Sequence, residues 1–489
     1  YRVDENLRLG TDYHPWEPKT HFKYREDSGS FAHAALRCVG IGNCRREHGG
    51  TMCPSYMATR EEQHSTRGRS RLLFEMLQGE IIQGGWREES VREALDLCLA
   101  CKGCKGDCPV NVDMATYKSE FLSHYYRGHL RPRHAYAIGL IHRASHLAAW
   151  FPALANLLTQ TPGPSAIAKA IAGIAPERRI PAYAPQTFKK WFKQHRGIRN
   201  EQTTGNGGLR PAVILWADTF NNHFHPSTAR AAVEVLESAG YRVRVPRKNL
   251  CCGRQLYDYG MLDSAKRLLQ QTLEALRSPI RAGIPIVVLE PSCAAVFRDE
   301  LVNLYPQDED ARRLSQQTFL LSEFLEKRVA DYQPPKLRRK AIVHGHCHQR
   351  AIMTMDSDQK ILKKMNLDYT LLDSGCCGMA GGFGFEKEHY EISLQIGERV
   401  LLPAVRQADS DTLVIADGFS CREQISQTTH RRALHLAEVI RMAIRGTEDG
   451  IYTEEDLIPA ATGAFRSALL AGVLIAGAGF GYATLRRKK

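Results

Sequence analysis

Four cysteines stand close together in the segment Cys98-Leu-Ala-Cys101-Lys-Gly-Cys104-Lys-Gly-Asp-Cys108-Pro109. The spacing, C-x2-C-x2-C-x3-C-P, is that of proteins with two iron–sulfur clusters, in which three thiolates bind one cluster and the fourth binds the other. The proline ends the loop, because its φ is fixed and it has no amide proton. A zinc site or a disulfide scaffold is the alternative, although zinc sites usually have two separated CxxC pairs. If the fourth cysteine binds a second cluster, the chain must supply that cluster's other ligands elsewhere.

A second cysteine group lies upstream. It begins Cys38-Val-Gly-Ile41-Gly-Asn-Cys44 and continues, after a longer spacer, to Cys53-Pro54. Ile41 stands where a second ligand is expected, so one iron corner has no thiolate. We expect a three-iron cluster, or a four-iron cluster completed by His48 or water; an empty, degenerated site is the alternative. The apolar residue within C-x5-C is similar to the three-iron site of succinate dehydrogenase iron–sulfur subunits.

The crossover rule divides these seven thiols between two clusters. We assign one set to a [4Fe–4S] cluster, namely Cys53, Cys98, Cys101 and Cys104. The other set would hold the [3Fe–4S] or incomplete [4Fe–4S] cluster, namely Cys38, Cys44 and Cys108. Apolar residues at helical spacing over 69–78 and 87–99 predict that residues 36–134 form a helical ferredoxin-like domain. The basic stretch Arg67-Gly-Arg69-Ser-Arg71 is either a docking site or, as we expect, a solvated helix start.

Composition narrows the class of protein. A chain of 489 residues has room for two to four domains. Its 14 cysteines are too few for a secreted disulfide scaffold and occur in ligand-like groups, which favours metal binding in a reducing compartment. The net charge of +13 suits an anionic membrane or an acidic electron-transfer partner. We find no recognised nucleic-acid motif and expect no nucleic-acid partner.

The first 35 residues and the region after the cysteine run are connecting segments. Residues 1–35 are polar, and we interpret them as the tail of a preceding domain and a linker, because the chain starts at Tyr1 and reads like a continuation. Residues 135–210 are predicted to form a helical connector that ends in a Gly-rich linker. Within it, 138–158 approaches the length of a membrane span, but Arg143 and two histidines favour a packed or interfacial helix pair.

The chain then contains an internal repeat, over residues 211–335 and 336–447. Each copy has an apolar run, a Cys-Cys-Gly triplet and a second apolar run that ends in a cysteine. The matched segments are 212–218 with 341–347, 251–253 with 376–378, and 286–293 with 413–421. Apolar runs that alternate with amphipathic helices predict βαβ units and parallel sheets. The predicted fold is therefore mixed α and α/β, with a helical two-cluster ferredoxin-like domain followed by two repeated α/β Cys-Cys-Gly domains.

The thiols of the repeats follow predicted strands, where open α/β sheets place their binding sites. They are Cys251, Cys252, Cys293, Cys347, Cys376, Cys377 and Cys421. In this alignment the first copy has Asp218 where the second has Cys347. We predict one further iron–sulfur cluster here; a structural zinc site or a redox disulfide is the alternative. His344, His346 and His348 alternate along a strand end, and we expect second-layer hydrogen bonds from them, with a ligand or proton-carrier role as the alternative.

Residues 448–489 are predicted to form a C-terminal segment with an apolar helix. Its 19 residues from 467 to 485 precede Arg-Arg-Lys-Lys. At about 1.5 Å per residue they approach the roughly 30 Å hydrocarbon core of a bilayer. We expect membrane attachment, spanning or re-entrant; a helix buried against a partner domain is the alternative.

The order of these motifs resembles the iron–sulfur half of bacterial FAD-linked D-2-hydroxyacid dehydrogenases, of the D-2-hydroxyglutarate or D-lactate dehydrogenase type. Glycolate oxidase iron–sulfur subunits, the third subunit of anaerobic glycerol-3-phosphate dehydrogenase and the Cys-Cys-Gly subunits of heterodisulfide reductases share the plan. The segments 376–384 and 416–422 are also similar to those of the fused dehydrogenases. In those enzymes an FAD-binding oxidase domain precedes the iron–sulfur half, and residues 1–10 look like its end. The resemblance covers residues 1 to about 445.

The resemblance implies a division of labour. FAD in the preceding or associated domain takes a hydride from a D-2-hydroxyacid, and electrons leave singly through the clusters to a quinone or another carrier. We assign no catalytic residue to this chain, which shows no flavin site and no carboxylate and arginine arrangement for a hydroxyacid. The expected location is cytoplasmic, at the inner face of the bacterial inner membrane. The alternative is a free-standing electron-transfer or heterodisulfide-reductase-like subunit.

Overall fold

Short helices surround the first two cysteine groups. The computed structural model describes residues 14–198 and 210–446. The helices of the N-terminal helical region are Phe31–Leu36, Pro54–Thr59, Thr66–Gln78, Glu89–Asp96, Gly103–Asp107 and Met114–Tyr125. Side chains cap the start of three of them: Ser30, Ser65 and Asp113 accept hydrogen bonds from the amides of His33, Gly68 and Thr116. The helices predicted over 69–78 and 87–99 are confirmed.

The connector is also helical. Its helices are Arg133–Gly139, Ile141–Ala148, Pro152–Gln160, Pro164–Ala172 and Phe188–Ile198. Proline begins two of them, at Pro152 and Pro164, where its missing amide proton is not needed. The predicted helix pair is therefore a series of short helices. Within the described residues, no helix is both long enough and apolar enough to cross a bilayer; the predicted helix at 467–485 lies outside them.

The first repeat is built on a four-stranded parallel sheet. Its strands are β1 (Ala212–Trp216), β2 (Arg242–Arg244), β3 (Ile286–Val288) and β4 (Thr318–Leu320), in the order β2-β1-β3-β4. The helices around it are Thr219–His223, Pro226–Ser238, Arg254–Asp258, Leu262–Arg281, Pro291–Ala295, Leu301–Leu304, Glu309–Gln317 and Leu321–Lys327. A π-helical turn, Val296–Glu300, joins two of these helices.

The second repeat has a three-stranded parallel sheet. Its strands are β5 (Lys340–His344), β6 (Asp368–Leu372) and β7 (Leu413–Ala416), in the order β6-β5-β7. Its helices are Cys347–Ile352, Asp356–Lys364, Tyr390–Glu398, Leu401–Gln407, Phe419–Thr429 and Leu436–Arg445. The parallel sheets and the helix-rich first region confirm the predicted mixed α and α/β fold.

The helical region packs against both repeats. One apolar core contains residues of the helical region, such as Phe121, together with Leu256 and Tyr257 of the first repeat. A smaller core joins Leu99 of the cysteine run to Phe383 of the second repeat. The cysteine run from Cys98 to Cys108 therefore lies where the three parts of the fold meet.

Candidate metal centres

The cysteines assigned to the [4Fe–4S] cluster lie together in the interior. Cys53, Cys98, Cys101 and Cys104 are all buried. Burial raises the pKa of Cys104, and the thiols of Cys98 and Cys53 raise it further. The pKa of Cys101 is likewise raised by burial, then by Cys347, and then by Cys104 and Cys53. Cys53 therefore joins the three thiols of the downstream run, as the crossover prediction requires, although 45 residues separate it from Cys98 in the chain.

Arg69 contacts the sulfur of Cys53, and the sequence interpretation did not identify it. The basic stretch 67–71 was expected to be solvated, but Arg69 is fully buried, so that expectation was wrong for this residue. Its Nη1 lies 3.3 Å from the Sγ of Cys53, and its Nη2 donates to Ser55 Oγ at 2.9 Å. Its Nε donates to the carbonyl oxygen of Ala94 at 2.7 Å. A buried guanidinium beside sulfur compensates the negative charge of thiolates.

The second set of sulfurs is more open to solvent. Cys44 is buried, whereas Cys38 and Cys108 are partly exposed. The backbone N–H of Arg67 lies 3.3 Å from the Sγ of Cys44. Burial is the main cause that raises the pKa of the Cys44 thiol, and the neighbouring thiols of Cys53 and Cys38 raise it further. Ile41 is 52% exposed, and His48 is also exposed. The structure thus brings Cys38 and Cys44 together.

Three thiols of the first repeat form a buried group. The Sγ atoms of Cys252 and Cys293 are 2.8 Å apart. Cys251 interacts with Cys252, and the Oγ1 of Thr219 donates a hydrogen bond to the Sγ of Cys251 at 3.7 Å. Soft thiolates that converge in this way suit iron–sulfur clusters, zinc or copper(I).

Thr219, and not Asp218, occupies the place of Cys347. Strands β1 and β5 each have five residues, and in each repeat the third residue after the strand begins a helix. That residue is Thr219 in the first repeat and Cys347 in the second. Asp218 corresponds to His346, since both side chains cap the helix that follows. The sequence alignment was wrong by one position, because it matched the apolar runs without counting from the helix starts.

The second repeat retains four thiols. Cys347, Cys376, Cys377 and Cys421 are buried. Cys376 and Cys421 donate hydrogen bonds to Cys377 and, together with an interaction with His344, hold its pKa well below its usual value. A ring nitrogen of His344 lies within 4.8 Å of the sulfurs of Cys377 and Cys421. Burial lowers the pKa of His346 to about 4 and holds that of His348 well below its usual value, which favours the neutral imidazole at both positions.

Glycine allows the Cys-Cys-Gly turn to approach a neighbouring helix. Gly378 has a φ of 88°, and a Cβ there would lie 2.1 Å from the carbonyl oxygen of Ser393. Gly253 has a φ of 80° in the first repeat. Glycine adopts this left-handed conformation without steric cost. The glycines after Gly378 also pack closely, since a Cβ at Gly382 would lie 2.3 Å from Tyr259 Oη.

The cysteine run touches the centre of the second repeat. Among neighbouring thiols, Cys347 raises the pKa of Cys101 most. The helix Gly103–Asp107 lies against the helix Cys347–Ile352, and a Cβ at Gly106 would be 2.8 Å from Ala351 Cα. Leu99, Phe383 and Ile396 exclude water around these sulfurs. The four-thiol groups of the helical region and of the second repeat are therefore neighbours.

Buried charges attach the cysteine run to the first repeat. The Nζ of Lys102, which is fully buried, lies 2.8 Å from Asp113 Oδ2 and 2.7 Å from Asp299 Oδ2. Burial opposes the charge of Lys102, but Asp113, Asp299 and Glu300 together raise its pKa well above its usual value. Arg254, next to the Cys-Cys-Gly turn, donates to Glu300 Oε1 at 2.9 Å. No sequence signal marked these residues, because the pairs join distant segments.

The two repeats also share a carboxylate. Glu290 Oε1 accepts a hydrogen bond from Ser292 Oγ at 2.9 Å in the first repeat. Its Oε2 accepts from the amide of Phe419 at 2.8 Å, at the start of the helix that carries Cys421. Phe419 stacks on Phe220 with ring centroids 4.3 Å apart. The first repeat therefore caps a helix of the second.

The donor set fits iron–sulfur clusters. All 14 cysteines are free thiols, and only Cys38 and Cys108 are partly exposed. Thiolates are the usual ligands of such clusters. Buried sulfurs beside Arg69 and backbone N–H groups provide the dry, hydrogen-bonding surroundings that tune a cluster's potential.

Comparisons with known proteins agree with this chemistry. A 4Fe-4S dicluster domain matches residues 34–112, and a cysteine-rich domain matches 218–298 and again 343–426. The chain is similar to a D-2-hydroxyglutarate dehydrogenase of Pseudomonas putida, with 26% identity over 446 residues that cover 83% of this chain and 43% of that protein. It spans less than half the length of that relative.

Two smaller relatives match part of the chain. One is a component of the anaerobic glycerol-3-phosphate dehydrogenase of Escherichia coli, which is 28% identical over 274 residues that cover 55% of this chain and 66% of that component. Lactate utilization protein A of Bacillus licheniformis is 29% identical over 244 residues, which cover 47% of this chain and 98% of that protein. The resemblance inferred from the cysteine motifs is confirmed.

Proposed function

We propose that this chain is the electron-transfer portion of an FAD-dependent D-2-hydroxyacid dehydrogenase that oxidises D-2-hydroxyglutarate or D-lactate. The chain contains a 4Fe-4S dicluster domain followed by two cysteine-rich domains, and its cofactors are iron–sulfur clusters. The observation that carries the proposal is the contact between Cys101 and Cys347. It places the thiols of the dicluster domain beside those of the second cysteine-rich domain.

The clusters are assigned as follows. Cys53, Cys98, Cys101 and Cys104 hold a [4Fe–4S] cluster. Cys38, Cys44 and Cys108 hold a [3Fe–4S] or incomplete [4Fe–4S] cluster. The seven thiols of the cysteine-rich domains hold at least one more. Iron–sulfur clusters, when bound, accept and release single electrons.

The surrounding residues support this role. Arg69 and the amide of Arg67 face sulfurs and stabilise negative charge on them. Leu99 and Phe383 keep water from the contact between Cys101 and Cys347. Lys102 fixes the cysteine run to the first repeat through Asp299. The chain thus holds the thiols in place and keeps their surroundings dry.

The proposed electron donor is FAD in an oxidase domain that is covalently linked to this chain or associated with it. The proposal is supported by the D-2-hydroxyglutarate dehydrogenases, which are more than twice as long as the part that matches. The hydroxyacid would bind to that flavin part, and the present chain would not oxidise it alone. The identity of the hydroxyacid would then be determined by residues of the flavin part.

The proposed acceptor is a membrane quinone or another carrier, at the cytoplasmic face of the bacterial inner membrane. An exposed apolar surface on the connector helices supports it; we call it the connector surface. It consists of Leu147, Trp150, Phe151, Leu154, Leu157, Leu158, Ile167 and Ile171. No Asp or Glu occurs between Glu120 and Glu177, whereas Arg and Lys do. Apolar side chains among basic ones suit an anionic bilayer.

Vesicle binding tests the connector surface. Trp150 is 77% exposed, and the double variant Trp150→Asp/Leu154→Asp should lose most binding to vesicles with anionic lipid in a co-sedimentation assay. Leu130→Asp is the control, because Leu130 is 87% exposed but lies outside these helices. Equal binding of all three proteins would show that the connector surface does not attach the chain.

A second candidate is a heterodisulfide-reductase-like subunit that acts without a hydroxyacid dehydrogenase. The observation in its favour is the 2.8 Å separation of the Cys252 and Cys293 sulfurs, which suits thiol and disulfide chemistry. Reduction of a disulfide substrate by the pre-reduced chain would favour this candidate. Reduction of a quinone analogue alone would favour the first.

The decisive experiment is iron and acid-labile sulfide analysis of the anaerobically purified chain, with EPR spectra of the oxidised and reduced forms. We expect signals from three distinct clusters. Photoreduced flavin should reduce them, and a quinone analogue should reoxidise them. A single cluster signal, or clusters that reduced flavin does not reduce, would contradict the proposed function.

A further inference from the structure

We propose that His344 is a metal ligand, so that the centre of the second repeat is bound by an imidazole nitrogen as well as by cysteine sulfur. The inference rests on the proposed iron–sulfur function and adds a ligand of a different chemical class to it. The sequence alone favoured a hydrogen-bonding role for His344. Its position in the structure supports coordination instead.

His344 is buried among the thiols. It is the last residue of β5 and is 2% exposed. One of its ring nitrogens and the Sγ atoms of Cys377 and Cys421 lie within 4.8 Å of one another. The two cysteines follow β6 and β7, so three neighbouring strands bring these side chains to one point. Open α/β sheets place their binding sites at the carboxyl ends of neighbouring strands, which is where these three residues meet.

The two ring nitrogens of His344 have different environments. The Nδ1 lies 2.7 Å from Ser374 Oγ, whereas the Nε2 is buried without a nitrogen or oxygen partner, and the ring interacts with the thiol of Cys377. Metal-bound histidines typically hydrogen-bond through the other ring nitrogen, which orients the ring. Ser374 would therefore orient the ring, and Nε2 would be the ligand.

The first repeat is an internal comparison. Counted from the helix starts, Trp216 is at the position of His344, and Thr219 is at the position of Cys347. An indole cannot bind a metal, and its Nε1 is also buried without a partner. The first repeat thus lacks both the imidazole and one thiol. The second repeat alone combines His344 with four thiols.

His346 and His348 are the competing histidines. His346 is engaged on both sides, because its Nδ1 accepts from the amide of His348 at 3.2 Å and its Nε2 lies 3.8 Å from Glu290 Oε1. The Nδ1 of His348 lies 3.6 Å from the Sγ of Cys347, and its Nε2 has no partner. His348 contacts a single cysteine next to it in the chain, whereas His344 joins two from separate loops. His348 is therefore the matched control.

Imidazole ligation changes the electronic properties of the centre. A cluster with a neutral imidazole among its ligands has a higher reduction potential than one bound by thiolates alone, as Rieske centres show. The centre of the second repeat should therefore have a higher potential than the cluster next to Cys101. Electrons would accumulate at the second repeat.

Pulsed EPR with labelled histidine tests the assignment. The full chain is prepared with natural-abundance and with ¹⁵N-histidine, and nitrogen couplings are measured at the paramagnetic centre of the second repeat. We expect a strong coupling that changes with the label, is lost in His344→Gln and persists in His348→Gln. His344→Cys should restore metal binding and lower the potential of that centre. Unchanged dicluster signals in each variant show that the fold is intact.

The outcomes separate this inference from the proposed function. A strong nitrogen coupling that survives in His344→Gln, or is lost in His348→Gln, overturns the assignment. So does a centre of the second repeat that shows no histidine coupling. If the wild-type chain binds no iron at all, the proposed function fails first, and the ligand assignment fails with it. Iron content per chain distinguishes this last case from the others.

Discussion

Cys347 raises the pKa of Cys101 more than any other thiol does, although 246 residues separate the two in the chain. One belongs to the run of the dicluster domain and the other begins a helix of the second cysteine-rich domain. The contact depends on Gly106, because a Cβ at this position would lie 2.8 Å from Ala351 Cα. The close approach of the two helices is therefore sensitive to one side chain.

Gly106→Leu should separate the two helices. Overpacking of this kind costs about 1–3 kcal/mol, and the proposed electron transfer to the second repeat should become slower. Freeze-quench EPR after mixing with reduced flavin measures the reduction of the dicluster domain and the later reduction of the second repeat. Gly79→Asn is the control, since a Cβ at Gly79 meets no atom within 4 Å and Asn tolerates its positive φ. Equal rates in all proteins would show that the electron path does not use this contact.

Ile41→Cys should complete the incomplete cluster. A thiolate at this place supplies the missing ligand, so the EPR signal of the oxidised three-iron cluster should disappear and the iron content should rise by about one atom per chain. Val39→Cys is the matched control, because Val39 lies in the same loop and is also exposed. A wild-type chain without a three-iron signal would contradict the three-iron assignment, and unchanged iron content in Ile41→Cys would contradict the ligand place.

Arg69→Gln should lower the reduction potential of the cluster assigned to Cys53. The reduced cluster carries more negative charge, and Arg69 is the buried cation beside it. A hydrogen bond to a charged group is worth about 1.5–3 kcal/mol, which corresponds to roughly 60–130 mV for one electron. A redox titration followed by EPR measures the shift. Arg71→Gln, in the same helix but exposed and paired with Glu75, should leave the potential unchanged.

Lys102→Met should destabilise the protein strongly. It leaves the buried carboxylates of Asp113 and Asp299 without their main cation. Loss of one partner from a buried pair costs about 3–5 kcal/mol. Lys105→Met should cost less, because the side chain of Lys105 is partly exposed. Urea unfolding of the three proteins measures the difference, and equal midpoints would show that the network contributes little.

His389 should make stability depend on pH. Burial opposes its charge, but Asp96, with Oδ2 3.0 Å from Nε2, and Glu386 raise its pKa to about 9. The unfolded value is about 6.5, so the stabilisation is complete below pH 6.5 and is lost as the pH rises through about 9. It amounts to at most about 3 kcal/mol.

Urea unfolding between pH 6 and pH 10 tests this prediction. The difference in the free energy of unfolding between wild type and His389→Gln should shrink as the pH rises through about 9. His129→Gln, at an exposed histidine, should follow the wild-type curve. A difference that does not change with pH would show that His389 is not charged in the folded protein.

The sequence predicted what depends on local spacing. The cysteine runs predicted iron–sulfur chemistry, and the apolar runs predicted two parallel sheets, because both patterns are set by neighbours in the chain. It did not predict the burial of Arg69 and Lys102, whose partners come from distant segments. Thr219 could have been found by counting from the helix start, since its cap residue, Asp218, is a recognisable signal.

Through Glu290, the first repeat supports the structure of the second repeat in a way that does not involve metal. This residue accepts a hydrogen bond from the first amide of the helix that carries Cys421, so the position of that helix in the second repeat depends on the first repeat. The first repeat has Trp216 and Thr219 at the positions of His344 and Cys347, yet it still positions part of the second repeat. In this respect one copy of the repeat serves as a scaffold for the other.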